Sequence, residues 1–118
     1  MVIILSKSDN VAPMVWDFLV AVYAFVMAMN VRDKPSALAP SPWPTIPSED
    51  AVGETARQFV LNLTEAIGDK SIRAAAAKSS VSHVTLLNIL AGRVWPDLAT
   101  ITKLEIGLEA SLWPPYRR

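Results

Sequence analysis

The run from Ser71 to Gly92, SIRAAAAKSSVSHVTLLNILAG, leaves the chain few options. Ser71 and Ser82 each offer a hydroxyl that can accept from the free N–H groups of a first helical turn. Between them, Ala74 to Ala77 form a strong helix with almost no side-chain bulk. The spacing therefore predicts two short helices joined by a tight turn, with small residues on the first so that the second packs across it closely. The second helix carries Leu86, Ile89 and Leu90 on one face, three and one apart. His83, Thr85 and Asn88 are left for other faces. Gly92 follows as a residue able to take the left-handed conformation that ends a helix.

A chain of 118 residues has room for one small core and an appendage. With no cysteine it forms no disulfide and no thiolate metal site, which fits a cytoplasmic protein. A single histidine gives no multi-histidine metal site within one chain, and no cofactor is expected. The formal net charge is zero, which argues against a uniformly basic nucleic-acid binder. The charges are unevenly placed, however. Lys70, Arg73, Lys78 and Arg93 fall in a run from 70 to 96 that holds no acid, whereas Glu49, Asp50, Glu54, Glu65 and Asp69 lie upstream.

Taken in order, residues 1–33 read as an apolar N-terminal helical segment. Residues 14–29 are apolar at every position but Asp17. Three readings stay open. A membrane helix wants about 20 apolar residues. A signal peptide wants a basic start and a small-residue cleavage site. The third is a helix buried on all sides, in the domain or in an oligomer. The segment is thus expected to serve as a dimerisation element or as a membrane tether through residues 14–29. Residues 34–48 carry five prolines, Pro35, Pro40, Pro42, Pro44 and Pro47, and read as a semi-rigid linker.

The third region, 49–118, is expected to be all-α. Ser48 is the anticipated cap of a helix whose stripe is Val52, Ala56, Phe59, Val60, Leu63 and Ile67, stopped by Gly68. Asp97 caps a last helix with Leu98, Ile101, Leu104 and Leu108 on one side, weakened near its end by Gly107. Leu112 and Trp113 should fold back as a lid before Pro114. No serine or histidine has an acid partner by motif, and no glycine-rich phosphate loop occurs, so the chain does not read as an enzyme.

Residues 52–114 resemble the Cro and phage-repressor helix-turn-helix proteins, the xenobiotic-response-element (XRE) family. The resemblance rests on coupled positions. Ala76 stands where that family keeps a small residue, and Ser79-Ser80-Val81-Ser82 forms the turn. Leu86 and Ile89 are apolar recognition-helix positions, and Gly92-Arg93 follows. Trp95-Pro96-Asp97 then leads into Leu-x-x-Ile-x-x-Leu. The pattern departs at Ser80, usually glycine, and at Ile72, often a phosphate-contacting glutamine. It leaves residues 1–47 without an account.

The resemblance implies a lambda-repressor-like bundle and a phage or bacterial transcriptional regulator, repressor-like, that binds double-stranded DNA as a homodimer. The second helix, 83–91, would enter the major groove by its N-terminal residues. His83, Val84 and Asn88, with Thr85 beside them, become base contacts. His83 suits guanine, Val84 a thymine methyl, and Asn88 the N6 and N7 of adenine. Arg73, Lys78, Ser82 and Arg93 become phosphate contacts. Taken singly, each of these residues suits plain solvent exposure as well. It is the shared register that assigns them to DNA. The rival reading is an antitoxin-like or adaptor module in which the same helices bind a partner chain.

Overall fold

The computed structural model describes residues 13–29 and 32–115, with side chains described at 15–25 and 32–115. Of the anticipated regions 1–33 and 49–118, residues 1–12, 30–31 and 116–118 lie outside the described residues. The described chain is all-helical. Its elements are α1 (Pro13–Met29), a 3-10 turn (Pro35–Leu38), α2 (Ala51–Ile67), α3 (Ile72–Ser79), α4 (His83–Leu90) and α5 (Leu98–Leu108). Two compact units divide between Arg32 and Asp33.

In the first unit, α1 opens with Pro13, which suits the first helical position because its missing N–H would have no partner there. Among its described side chains most apolar residues are exposed, Trp16 being half-buried. Phe18 is 68% and Phe25 66% exposed, and Val15, Leu19, Val20, Val22 and Tyr23 are exposed with them. No helix among the described residues is long and apolar enough to cross a membrane.

The second unit is a bundle whose helices begin at side-chain caps. Ser71 Oγ accepts from Ala74 N–H at 3.0 Å, Ser82 Oγ from Thr85 N–H at 3.0 Å, and Asp97 Oδ1 from Thr100 N–H at 2.8 Å. At α2 the cap is Asp50, which accepts from Gly53 N–H at 2.7 Å, and not the anticipated Ser48. Ser48 Oγ instead accepts from Asp50 N–H and donates to Leu38 O. The α2 stripe buries Phe59, Val60, Leu63 and Ile67 against Ala75, Ala76, Leu86, Ile89, Ile101, Leu104 and Leu112. Burying each large aliphatic side chain contributes about 1.5–3 kcal/mol. Two anticipated core positions lie outside: Val52 is 56% and Leu98 79% exposed. Both stand in the first turn of their helices, beyond the edge of the packed layer.

The small residues of α3 serve two crossings. Ala75 and Ala76 are buried in the core, as the alanine run suggested. The tightest approach, however, is to α5. A Cβ placed on Gly107 would lie 2.5 Å from Ser79 Cα and 2.6 Å from Lys78 O. Gly107 therefore marks backbone-to-backbone contact, and α5 continues through it to Leu108. Beyond α5 the tail folds back at Leu112, which is fully buried. Glu105 Oε2 accepts from Leu112 N–H at 2.7 Å and Asn62 Nδ2 donates to Leu112 O at 2.9 Å. Trp113 is exposed, and the buried residues of the tail are Leu112 and Pro114.

The proline-rich segment departs most from expectation. Residues 34–48 are a strap on the bundle, and the unit they join starts at Asp33. Pro35 is buried, and Trp43 packs against the core. Prolines lack N–H donors, so other groups fasten the strap. Trp43 Nε1 donates to Leu90 O at 3.1 Å, Ser36 N–H to Gly92 O at 2.9 Å, and Trp95 Nε1 to Asp33 O at 2.8 Å. Arg57 reaches Pro44 O at 3.2 Å. The first three of these ties converge on the C-terminal end of α4 and the loop after it.

Candidate nucleic-acid interface

The turn between α3 and α4 depends on one residue in the left-handed region. Ser80 has φ 54° and ψ 37°, and its N–H and that of Val81 close back on Ala77 O and Ala76 O. A serine there costs on the order of 1 kcal/mol relative to glycine. The cost is small beside the core that the turn assembles. Val81 is half-buried after the turn, and Ile72, at the start of α3, packs against the core and not toward solvent.

α4 is seated by its inner face. Leu86 and Ile89 are fully buried. The residues between and before them are left on the outer side. Val84 is 61% exposed, an apolar side chain with no protein to cover it. His83, Thr85 and Asn88 are half-buried. Arg73, Lys78, Ser82 and Arg93 are all exposed, as is Lys70. The cations of the acid-free run are thus each exposed, before α3, on it and after α4, and Val84 is exposed at the start of α4.

Ser82 caps α4 as anticipated, and two side-chain bonds join the predicted contact residues to one another. The Ser82 hydroxyl accepts from Thr85 N–H and donates to Thr85 Oγ1 at 3.0 Å. Both oxygens are therefore engaged in the helix cap, and Ser82 has already committed its hydrogen. Asn88 Oδ1 accepts from Arg93 Nη1 at 3.2 Å. The main chain reinforces this tie. Arg93 N–H donates to Asn88 O at 3.0 Å and Gly92 N–H to Ile89 O at 3.1 Å, around Gly92 at φ 70°. This is the paired-bond helix end that a left-handed residue creates. Glycine has a second reason to stand at 92. A Cβ there would lie 2.8 Å from the Trp43 ring and 2.9 Å from Ser36 Cβ. The strap thus braces the end of α4 from one side while Arg93 closes over it from another.

A separate concavity lies where the start of α2 meets the tail, lined by Ala51, Glu54, Thr55, Gln58 and Trp113 among others. Its one charged liner, Glu54, is bound to Arg57 at 2.6 Å. That guanidinium holds the Glu54 carboxyl at about 2, well below its ordinary 4.5, helped by Ser48 N–H. A carboxylate held ionised in this way is a poor proton donor or acceptor near neutral pH.

No protein-family model matches the chain, and no curated protein or solved structure matches it either.

Proposed function

We propose that the unit from Asp33 onward is a lambda-repressor-like helix-turn-helix domain of the Cro and phage-repressor kind, and that the chain is a sequence-specific, non-enzymatic regulator of transcription, repressor-like in action. On this reading α4 lies in the major groove, with Val84 and His83 at base edges, and Arg73, Lys78 and Arg93 on phosphates. The observation that carries it is the two-sidedness of α4. Leu86 and Ile89 anchor it completely, while Val84 in its first turn is exposed and the cations Arg73, Lys78 and Arg93 of the neighbouring segments are exposed as well. An N-terminal turn presented in this way is what groove reading requires. The protein works where double-stranded DNA is, in the cytoplasm of a bacterial or phage-infected cell.

A helix this short reads only a few base pairs, so the active species is a homodimer on a two-fold site. We assign pairing to α1. Val15, Phe18, Val22 and Phe25 recur at spacings of three, four and three, the seam of a coiled coil, and all four are exposed. Two such seams with their flanks remove on the order of 1,000 Å² from water, taking roughly 200 Å² for a full aromatic side chain. That is the lower edge of a specific interface. A helix of 17 residues spans about 25 Å, short of a hydrocarbon core of about 30 Å. Asp17, exposed within it, lies off the seam and keeps its water in a dimer.

Salt titration of binding to duplex DNA tests the reading. Three phosphate-contacting cations per protomer give six per dimer, and affinity should fall on the order of a thousandfold between 50 and 200 mM salt. Lys78→Ala should weaken all sequences alike, and His83→Ala should relax preference at one position. A partner-binding module would show neither effect on duplex DNA.

A further inference from the structure

Of the eight residues of α4, Val84 and Leu87 alone are exposed, at 61% and 40%. His83, Thr85 and Asn88 are half-buried. Helix geometry gives the reason. At about 100° per residue, Leu86 and Ile89 point together into the core, and the opposite direction falls to Val84, with Leu87 about 60° from it. Residues three apart are neighbours on a helix surface, with Cβ atoms about 5–6 Å from one another. The most open part of α4 is therefore a pair of adjoining aliphatic side chains. Leu87 has no task in the fold: it is outside the core and makes no cap.

The charges of the neighbouring segments narrow what covers this pair. Arg73, Lys78 and Arg93 are exposed, and residues 70–96 hold no acid. An aliphatic edge accompanied by cations alone fits a polyanion that also carries apolar groups. In the major groove that apolar group is the C5-methyl of thymine. We infer that Val84 and Leu87 together form a hydrocarbon edge that reads two thymines in each half-site, each side chain packed on one methyl group. This rests on the DNA reading given above and adds Leu87 as a residue that determines specificity. With base pairs stacked about 3.4 Å apart, the spacing of the two side chains puts the thymines at neighbouring or next-neighbouring steps. Cytosine at either step would turn its free N4–H toward hydrocarbon, where it finds no acceptor.

The test is selection of bound sites from a random duplex pool by the full chain, followed by replacement of each thymine in the enriched site, one at a time, with deoxyuridine. Deoxyuridine keeps every hydrogen-bonding group of thymine and lacks only the methyl. The chain should enrich two thymines at neighbouring or next-neighbouring steps of each half-site, and loss of either methyl should weaken binding about fourfold, the worth of one buried carbon. Leu87→Ala should erase the response to one of these methyls and keep the other, and Val84→Ala should do the reverse. Both positions are exposed, so both variants should fold, which circular dichroism checks, and the deoxyuridine measurements need no variant at all. An enriched site without the thymine pair overturns the inference. So do methyls whose loss changes nothing, or responses that both survive Leu87→Ala. In each of these cases the DNA reading stands, because a motif is still enriched. If the chain enriches no motif and retains no duplex at low salt, the DNA reading falls and takes this inference with it.

Discussion

α1 and α2 are each 17 residues long, and they meet opposite fates. α2 interleaves polar residues with its apolar stripe, so one side packs and the other is wetted. Phe59, Val60, Leu63 and Ile67 reach the core, while Glu65 and Thr64 face water. α1 has almost no polar side to turn outward, and its Phe18, Tyr23 and Phe25 remain exposed. A stripe tells a helix where its own chain will cover it. An apolar surface interrupted only by Asp17 gives a helix no such direction, and most of the described side chains of α1 are exposed. The contrast separates what stabilises the fold from what α1 contributes.

The largest effect should come from the covered helix. Leu63→Ala removes a fully buried side chain and should cost about 3 kcal/mol in denaturant unfolding, within the range for such cavities. Phe18→Ala in α1 should leave that unfolding free energy within about 0.5 kcal/mol while weakening self-association by sedimentation. Equal losses of stability would erase the distinction between the two helices.

Next comes the α3–α5 crossing. Gly107→Ala puts a Cβ against the Ser79 and Lys78 backbone, which cannot rotate away, and should destabilise by about 2 kcal/mol. Because alanine is the better helix former, a rise in melting temperature would show that the crossing is looser than described.

The strap gives a smaller effect. Trp43→Phe keeps a ring but loses the bond to Leu90 O, and should cost about 1 kcal/mol. Proteolysis should then cut first within residues 34–48, if the strap is a fastened part of the bundle. Cleavage there in the wild type at the rate of a free peptide would return the segment to the status of a linker.

The smallest effect concerns acid. Arg57 depresses the Glu54 carboxyl from 4.5 to about 2 in the folded chain. A depressed carboxylate stabilises the fold above its unfolded value and loses that contribution as pH falls through the folded one. Stability should therefore decline between about pH 4.5 and pH 2. Glu54→Gln should flatten that decline by on the order of 1 kcal/mol, allowing for solvent screening at a partly exposed pair. An unchanged acid limb would place the decline elsewhere.

Much of this was legible in residues with one local job. Ser71, Ser82 and Asp97 cap helices because a short oxygen next to free N–H groups has little else to do. Gly68 and Gly92 end helices for a similarly local reason, with φ 57° and 70°. The strap was not legible, because proline announces only what it prevents. Where Trp43 and Ser36 find acceptors depends on the carbonyls that α4 leaves free at its far end. Val52 and Leu98 continue a stripe in sequence, yet the core begins two turns beyond the first, at Phe59, and one turn beyond the second, at Ile101. At the candidate interface, the apolar pattern left Val84 and the cations outside the stripe, and they are exposed. The pattern did not show that Asn88 Oδ1 is engaged, because that depends on how the chain turns at Gly92 and brings Arg93 back.

The central claim is that the outward side of α4 meets the DNA. Amide chemical-shift mapping of the full chain, titrated with a duplex at low salt, tests it most directly. The account expects the shifts to centre on Ser82–Asn88, Arg93, and Arg73 with Lys78, leaving the α2–Trp113 concavity unmoved. Shifts gathered around Glu54, Gln58 and Trp113, with the α4 amides silent, would contradict it.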